Sequence, residues 1–207
     1  MDIRITKARI SFAGGLWKKS SAVENGTPKH NCDYIICPDS IVQEKIGPGP
    51  RDWGPATNIK ALEKKVALEA LKGDKKKADL WFDALDARQR NIREGNRQLD
   101  KLGEVREGYS DKWYVHATST RRMPVYNADT STVDSEDSSP IYSGCRVTAR
   151  VSLYANLKPG AKGVFASIQG TQFHSEDDSF GGGRAAGAAD FEPAEGAAAG
   201  DFGADLA

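Results

Sequence analysis

Residues 141–154 alternate strictly between two kinds of side chain. Odd positions carry Ile141, Ser143, Cys145, Val147, Ala149, Val151 and Leu153, all small or apolar. Even positions carry Tyr142, Gly144, Arg146, Thr148, Arg150, Ser152 and Tyr154. Successive side chains of an extended chain point to opposite faces, so a period of two predicts one strand with two unlike faces. The odd row suits the interior of a barrel, and the even row sets two arginines between two tyrosines on the outside.

The rest of the chain supplies partners for that strand. Residues 1–12 place Ile3 and Ile5 on one face and Ala8, Ile10 and Phe12 in a shifted phase, which predicts a bulge near Thr6 and Lys7. Asp33–Cys37 reads as a second strand. In Lys112–Ser119, Trp113, Val115 and Ala117 lie on one face and Tyr114, His116 and Thr118 on the other. Val164–His174 begins as a strand, and the Ser-, Thr- and Asp-rich stretch 127–139 reads as a loop.

Between these β segments the texture changes. The cluster Gly47-Pro48-Gly49-Pro50 closes the second strand region. Thr57 or Asn58 can then cap a helix to about Lys72, with Ile59, Leu62, Val66 and Ala70 on one stripe and Gly73 as the stop. A second helical piece covers Lys75–Leu85. The expected fold class is therefore α+β: mainly β with a helical insertion at about residues 50–90, its five or six strands compatible with an OB-fold-like barrel.

The formal net charge is zero, and this conceals a segregated chain. Residues 175–207 hold eight acids and one base, Arg184, so the tail is −7 and the body, residues 1–174, is +7. A basic body favours a polyanion, and an acidic tail can mimic one. The tail is rich in Gly and Ala and cannot bury a core, so it is expected to be disordered. Asp190, Glu192, Glu195, Asp201, Phe202 and Asp205 are its candidate regulatory residues, by competition for the basic face or by docking of partner proteins.

No run approaches the roughly 20 apolar residues of a membrane span, and the first residues lack the apolar region of a signal peptide, so no membrane role is expected and the protein should stay where it is made. Cys32, Cys37 and Cys145 are odd in number and fit a reducing compartment. His30, Cys32 and Cys37 raise the question of zinc, but no second CxxC pair accompanies them and Cys37 reads as a small buried strand residue. No GxSxG, P-loop or HExxH motif is present. The carboxylates at 134–137 and 176–178 could hold magnesium, as in a nuclease, but both lie in loop or tail sequence without a rigid scaffold. No enzyme activity, metal or cofactor is expected.

The outward residues suit single-stranded nucleic acid. Unstacked bases recover about 1–3 kcal/mol each on aromatic side chains, and guanidinium groups pair with phosphate. The candidates are Tyr142, Arg146, Arg150 and Tyr154, joined by Tyr114 and His116, by Trp17, Lys18 and Lys19, by Arg121, Arg122 and Tyr126, and by Lys162 and Phe165. The run Ile141-Tyr142-Ser143-Gly144-Cys145-Arg146-Val147, with Gly160-Ala161-Lys162-Gly163-Val164, Gln172-Phe173 and Ser179-Phe180-Gly181-Gly182-Gly183, resembles a family of bacteriophage single-stranded DNA-binding proteins with an OB-like fold. Tyr114–Ser119, Arg122–Tyr126 and Asn91–Asn96 add weaker likenesses. The resemblance implies sequence-independent binding in phage DNA replication, recombination or repair, in the cytoplasm of the infected host, with phage or host replication and recombination proteins as partners of the tail. The alternative is a structural virion component that uses the same face for protein contacts.

Overall fold

The first strand carries the bulge that its sequence predicts. In the computed structural model, which describes residues 1–21, 26–56 and 58–181, β1 (Asp2–Ser11) changes register between Ile5 and Ala8 against a later strand, and Lys7 takes a positive φ of 60°. The bulge turns Ala8 and Ile10 onto the side already held by Ile3 and Ile5, and all four are fully buried. It also bends the strand enough for β1 to pair with three others along its length.

Strand β2 (His30–Ile36) pairs antiparallel with the second half of β1. Strands β3 (Ile41–Lys45) and β4 (Trp53–Pro55) form a hairpin on the first half. The Gly-Pro-Gly-Pro cluster is the loop of this hairpin, where the sequence suggests only a boundary. Helix α1 (Ile59–Ala70) starts at Asn58, whose Oδ1 accepts the Lys60 amide at 2.9 Å, and the chain leaves it through Gly73 at φ +83°. Helix α2 (Lys75–Asp83) is capped by Asp74. The two helices thus occupy the expected insertion.

Strand β5 (Ile92–Glu94) pairs with β6 (Trp113–Ser119), and β7 (Val125–Tyr126) pairs with β8 (Thr132–Val133), which lies inside the segment read as a loop. The two long strands β9 (Arg146–Asn156) and β10 (Gly163–Ser175) run antiparallel over most of their length. Five strands close on themselves: β1 pairs with β2, β2 with β6, β6 in parallel with β10 at Thr118 and Ser167, β10 with β9, and β9 with β1. The result is a mainly β, ring-like sheet with two helices.

The ring is filled as its period-two rows demand. Val147, Ala149, Val151 and Leu153 of β9 face Ile3, Ile5, Val115, Ala117, Val164 and Ala166 in one fully buried cluster. Leu62, Val66, Ala67 and Phe82 of the helices join the same cluster, so the insertion packs its apolar stripe onto the ring interior. Strand β9 begins at Arg146 rather than Ile141. Residues 141–145 form a turn in which Gly144 has φ +112°. A Cβ on Gly144 would stand 2.1 Å from the Asp178 carbonyl oxygen, so the chain that approaches this glycine is the protein's own.

Candidate nucleic-acid interface

The outer face is built on the register of four neighbouring strands. Arg4 of β1 stands opposite Arg150 of β9 on one side and Gln43 of β3 on the other. Lys45 of β3 stands opposite Trp53 of β4. These pairings bring three cations around one indole: Arg4 and Lys45 lie 4.9 Å from the Trp53 ring centroid and Arg150 lies 5.6 Å away. Arg4 is held there by two hydrogen bonds from its guanidinium to Gln43 Oε1, at 3.0 and 2.7 Å. Among the described residues, Arg150 has a single weak carboxylate partner, Asp2, at 3.4 Å.

Four residues along β9 from Arg150, Tyr154 stands opposite Phe165 of β10. Their ring centroids are 5.8 Å apart and the planes are tilted by 36°. Tyr154 is 49% exposed, enough for a base to stack on it without disturbing the core. Beside it a cleft of about 220 Å³ is lined by Lys29, Thr118, Arg121, Tyr154, Ser167 and Gln169. Cations and aromatic rings therefore form one outward band from β4 across β3, β1 and β9 to β10.

The sequence candidates fall into three groups. Arg150, Tyr154, Phe165 and Arg121 lie on this band, and Lys162, half-buried, sits in the turn between β9 and β10 beside it. Trp17 and Arg122 stack at 4.9 Å near the short β7–β8 pair, where Lys18 bonds Glu136 at 2.6 Å and Arg122 donates to the Asp134 carbonyl at 2.8 Å. Tyr126 belongs to the same end of the ring, opposite Gln172, while Lys19 is exposed in the loop after Trp17.

The remaining candidates are engaged internally. Tyr114 does point outward from the ring, but the segment before β6 covers it: its ring meets Tyr109 edge-on at 5.0 Å and it is 3% exposed. His116 Nδ1 lies 2.7 Å from Asp33 Oδ1, and Tyr109 donates to the other oxygen of that carboxylate at 2.7 Å. Tyr142 lies in the turn before β9, and its hydroxyl donates to the Asp177 carbonyl at 2.7 Å. Arg146 donates to Asp177 at 2.5 Å and to Asp39 at 2.8 Å.

Asp177 belongs to a strap, residues 176–181, that follows β10 back over the ring. Partial burial works to raise the Asp177 carboxyl, but the bond from Arg146, the Asp178 amide and the nearby Arg9 hold it below the usual carboxylate range. Arg9 also stacks on Phe180 at 4.2 Å and donates to the Asp178 carbonyl. The Phe180 amide donates to the Ser143 carbonyl at 2.9 Å. The tail candidates Asp190, Glu192, Glu195, Asp201, Phe202 and Asp205 lie outside the described residues.

Sequence reasoning did not place Trp53, Lys45 or Arg4 among the candidate residues. The signal for Trp53 was weak: one aromatic after a Pro/Gly-rich loop gives no period. Among the described residues no three His, Cys, Asp or Glu side chains gather as metal ligands. His30 Nδ1 instead lies 3.2 Å from the Gly15 carbonyl oxygen, and the three cysteines are buried free thiols. Burial pushes the Cys145 thiol up to about 11 and raises Cys32 as well, which keeps both protonated and unreactive.

Fold and surface together define a class: a closed five-strand ring with a helical insertion and an outward band of cations and aromatic rings. The chain belongs to the family described as Enterobacter phage Enc34, ssDNA-binding protein, whose model matches residues 1–202. Its fold is similar to that of the single-stranded DNA-binding protein from bacteriophage Enc34 in complex with ssDNA, with TM-score 0.56 at 16% identity over 87% of this chain and 89% of that one. A C-terminal truncation of the same phage protein gives TM-score 0.54 at 16% identity over 86% and 88%. Protein p50 of Acyrthosiphon pisum secondary endosymbiont phage 1 is 38% identical over 99 residues, 47% of this chain and 53% of that protein. The match thus spans about half the length of that curated relative.

Proposed function

We propose that this protein binds single-stranded DNA without sequence preference, through the band that runs from Trp53 to Phe165. The observation that carries the reading is the gathering of Arg4, Lys45 and Arg150 around Trp53, next to the Tyr154–Phe165 pair with its exposed Tyr154, in a chain of the Enc34 family. Bases stack on the rings and phosphates meet the guanidinium and ammonium groups, which is how unpaired strands are held irrespective of sequence. Arg121, Lys29 and Lys162 extend the positive surface past Tyr154. Trp17, Lys18, Lys19, Arg122 and Tyr126 form a second cluster that the strand reaches at the far end of the ring. Tyr142, Arg146, Tyr114 and His116 serve the band by fixing the turn, the strap and β6 beneath it.

Coating of exposed strands during phage DNA replication, recombination or repair, in the cytoplasm of the infected host, is the role this reading gives the protein. It includes no catalytic step and no cofactor. Among the described residues no helix is long and apolar enough to cross a membrane. The acidic residues after the strap act as a competing polyanion or as a tether for replication and recombination proteins. Fluorescence anisotropy with a labelled oligo-dT and a matched duplex, at two salt concentrations, tests the reading. Tight, salt-sensitive binding of the single strand with weak duplex binding is expected. Equal affinity for both, or affinity independent of salt, contradicts it.

A further inference from the structure

The helical insertion ends in a segment, residues 85–98, that folds with Trp113 and Tyr114 of β6 around an open groove of about 580 Å³. Four arginines line it, Arg88, Arg90, Arg93 and Arg97, against one acid, Glu94. Arg97 pairs with Glu94 at 3.2 Å. Among the described residues no carboxylate lies within ion-pair distance of Arg88, Arg90 or Arg93. Arg88 is exposed, while Arg90 and Arg93 are held by backbone carbonyls, and the charge of both also reaches the buried Glu63. Arg93 donates to the Arg90 and Arg88 carbonyls at 2.7 and 3.3 Å, and Arg90 to those of Phe82 and Leu85 at 3.0 and 3.1 Å. Among the described residues, the buried Nε of Arg90 has no partner. Trp113 adds an aromatic wall, with Lys60 Nζ 3.9 Å from its ring centroid.

Several cations held together with so little counter-charge repel one another, and an anion entering the groove relieves that repulsion. The groove lies beside the band. A Cβ on Gly163, two residues before Phe165, would stand 2.6 Å from the Gln89 carbonyl oxygen, so the backbone between Arg88 and Arg90 packs on the start of β10. Deepening the reading above, on which it rests, we infer that the arginine groove is a second phosphate-binding track. It takes the continuation of the same single strand after it leaves the Tyr154–Phe165 pair. An aromatic wall next to planar guanidinium groups matches a chain that alternates bases with phosphates. The insertion thereby lengthens the binding site beyond the ring.

The test uses the full chain and labelled oligo-dT of ~8 and ~30 nucleotides, the shorter within the span of a single ring, over a salt series. For the long oligomer, Arg88→Ala/Arg93→Ala/Arg97→Ala lowers the slope of log affinity against log salt by about 2, since each phosphate neutralised on a single strand contributes about 0.7. For the short oligomer it leaves affinity and slope as in the wild type. Arg88→Glu/Arg97→Glu, which changes only exposed side chains, gives the same length-dependent loss while keeping the backbone contacts of Arg93. Wild-type affinity of the variants for the long oligomer, with the wild type binding both lengths, overturns the groove and leaves the ring reading standing. Tighter binding by the variants also overturns it and marks the groove as a seat for an acidic peptide segment. Failure of the wild type to bind either oligomer overturns the reading beneath the groove, and the groove with it.

Discussion

Arg146 Nε donates to Asp177 Oδ2 at 2.5 Å, and this contact ties the strap after the last strand to the start of β9. Both side chains are about four-fifths buried, and Arg9 approaches the same carboxylate at 3.6 Å. Asp177→Asn keeps the shape and removes the charge, so the melting temperature should fall by a few degrees at pH 7, equivalent to about 1 kcal/mol for a partly exposed pair. The Asp177 carboxyl is held below its ordinary 3.8. Its contribution is therefore present above that value and is lost as pH falls through the lower folded value. Wild type and variant should differ by a constant amount from pH 7 to pH 5 and converge in stronger acid, as thermal melts across pH would show.

Gly144 gives the strap its seat. A side chain there would meet the backbone of 178–180 and would also have to adopt φ +112°. Gly144→Ala should displace the strap while the ring stays folded, which limited proteolysis after Glu176 reads as faster cleavage. Unchanged cleavage would mean that the strap is held without this approach.

Glu63 of α1 sets a different pH dependence. Its Oε1 accepts the amides of Asn91 and Ile92 at 3.0 and 2.9 Å, yet burial pushes the carboxyl up to about 7 against those bonds and the charges of Arg90 and Arg93. A raised carboxyl means that the folded chain binds its proton more tightly than the unfolded chain does. Stability is fully present below about 4.5, falls as pH rises to about 7, and is level above that. A shift of this size corresponds to about 3 kcal/mol. Glu63→Gln should remove most of the slope, and chemical denaturation at pH 5.5 and pH 8 would measure it.

Tyr154 and Phe165 test the stacking half of the account separately from the charges. Tyr154→Ala should weaken single-strand binding roughly 5- to 100-fold, the range of one lost base stack. Its ring is half exposed and should cost little stability. Phe165→Ala is expected to act in the same direction, and the double variant to lose less than the sum because the rings touch.

Much of this fold is legible in local pattern. The row Val147, Ala149, Val151 and Leu153, the bulge at Lys7, and the Asn58 cap each follow from rules that act over a few residues. Tyr114 shows where such rules stop. Period two sends it outward correctly, but only the distant fold of Tyr109 decides that it is covered. Arg146 likewise leaves the outer row for Asp177, thirty-one residues away in sequence. Trp53 was unreadable for the converse reason: its three cations come from β1, β3 and β9, and no window of sequence contains them.

If the band around Trp53 holds single-stranded DNA, one binding experiment shows it. Anisotropy of a labelled ~30-nucleotide oligo-dT is measured with the wild type and with Arg4→Ala/Trp53→Ala/Arg150→Ala, alongside thermal melts of both proteins. Two phosphate contacts and one stacking platform are removed, so affinity should fall at least about 100-fold with a shallower salt slope and a melting temperature within a few degrees of wild type. A folded variant that binds as tightly as the wild type would contradict the account.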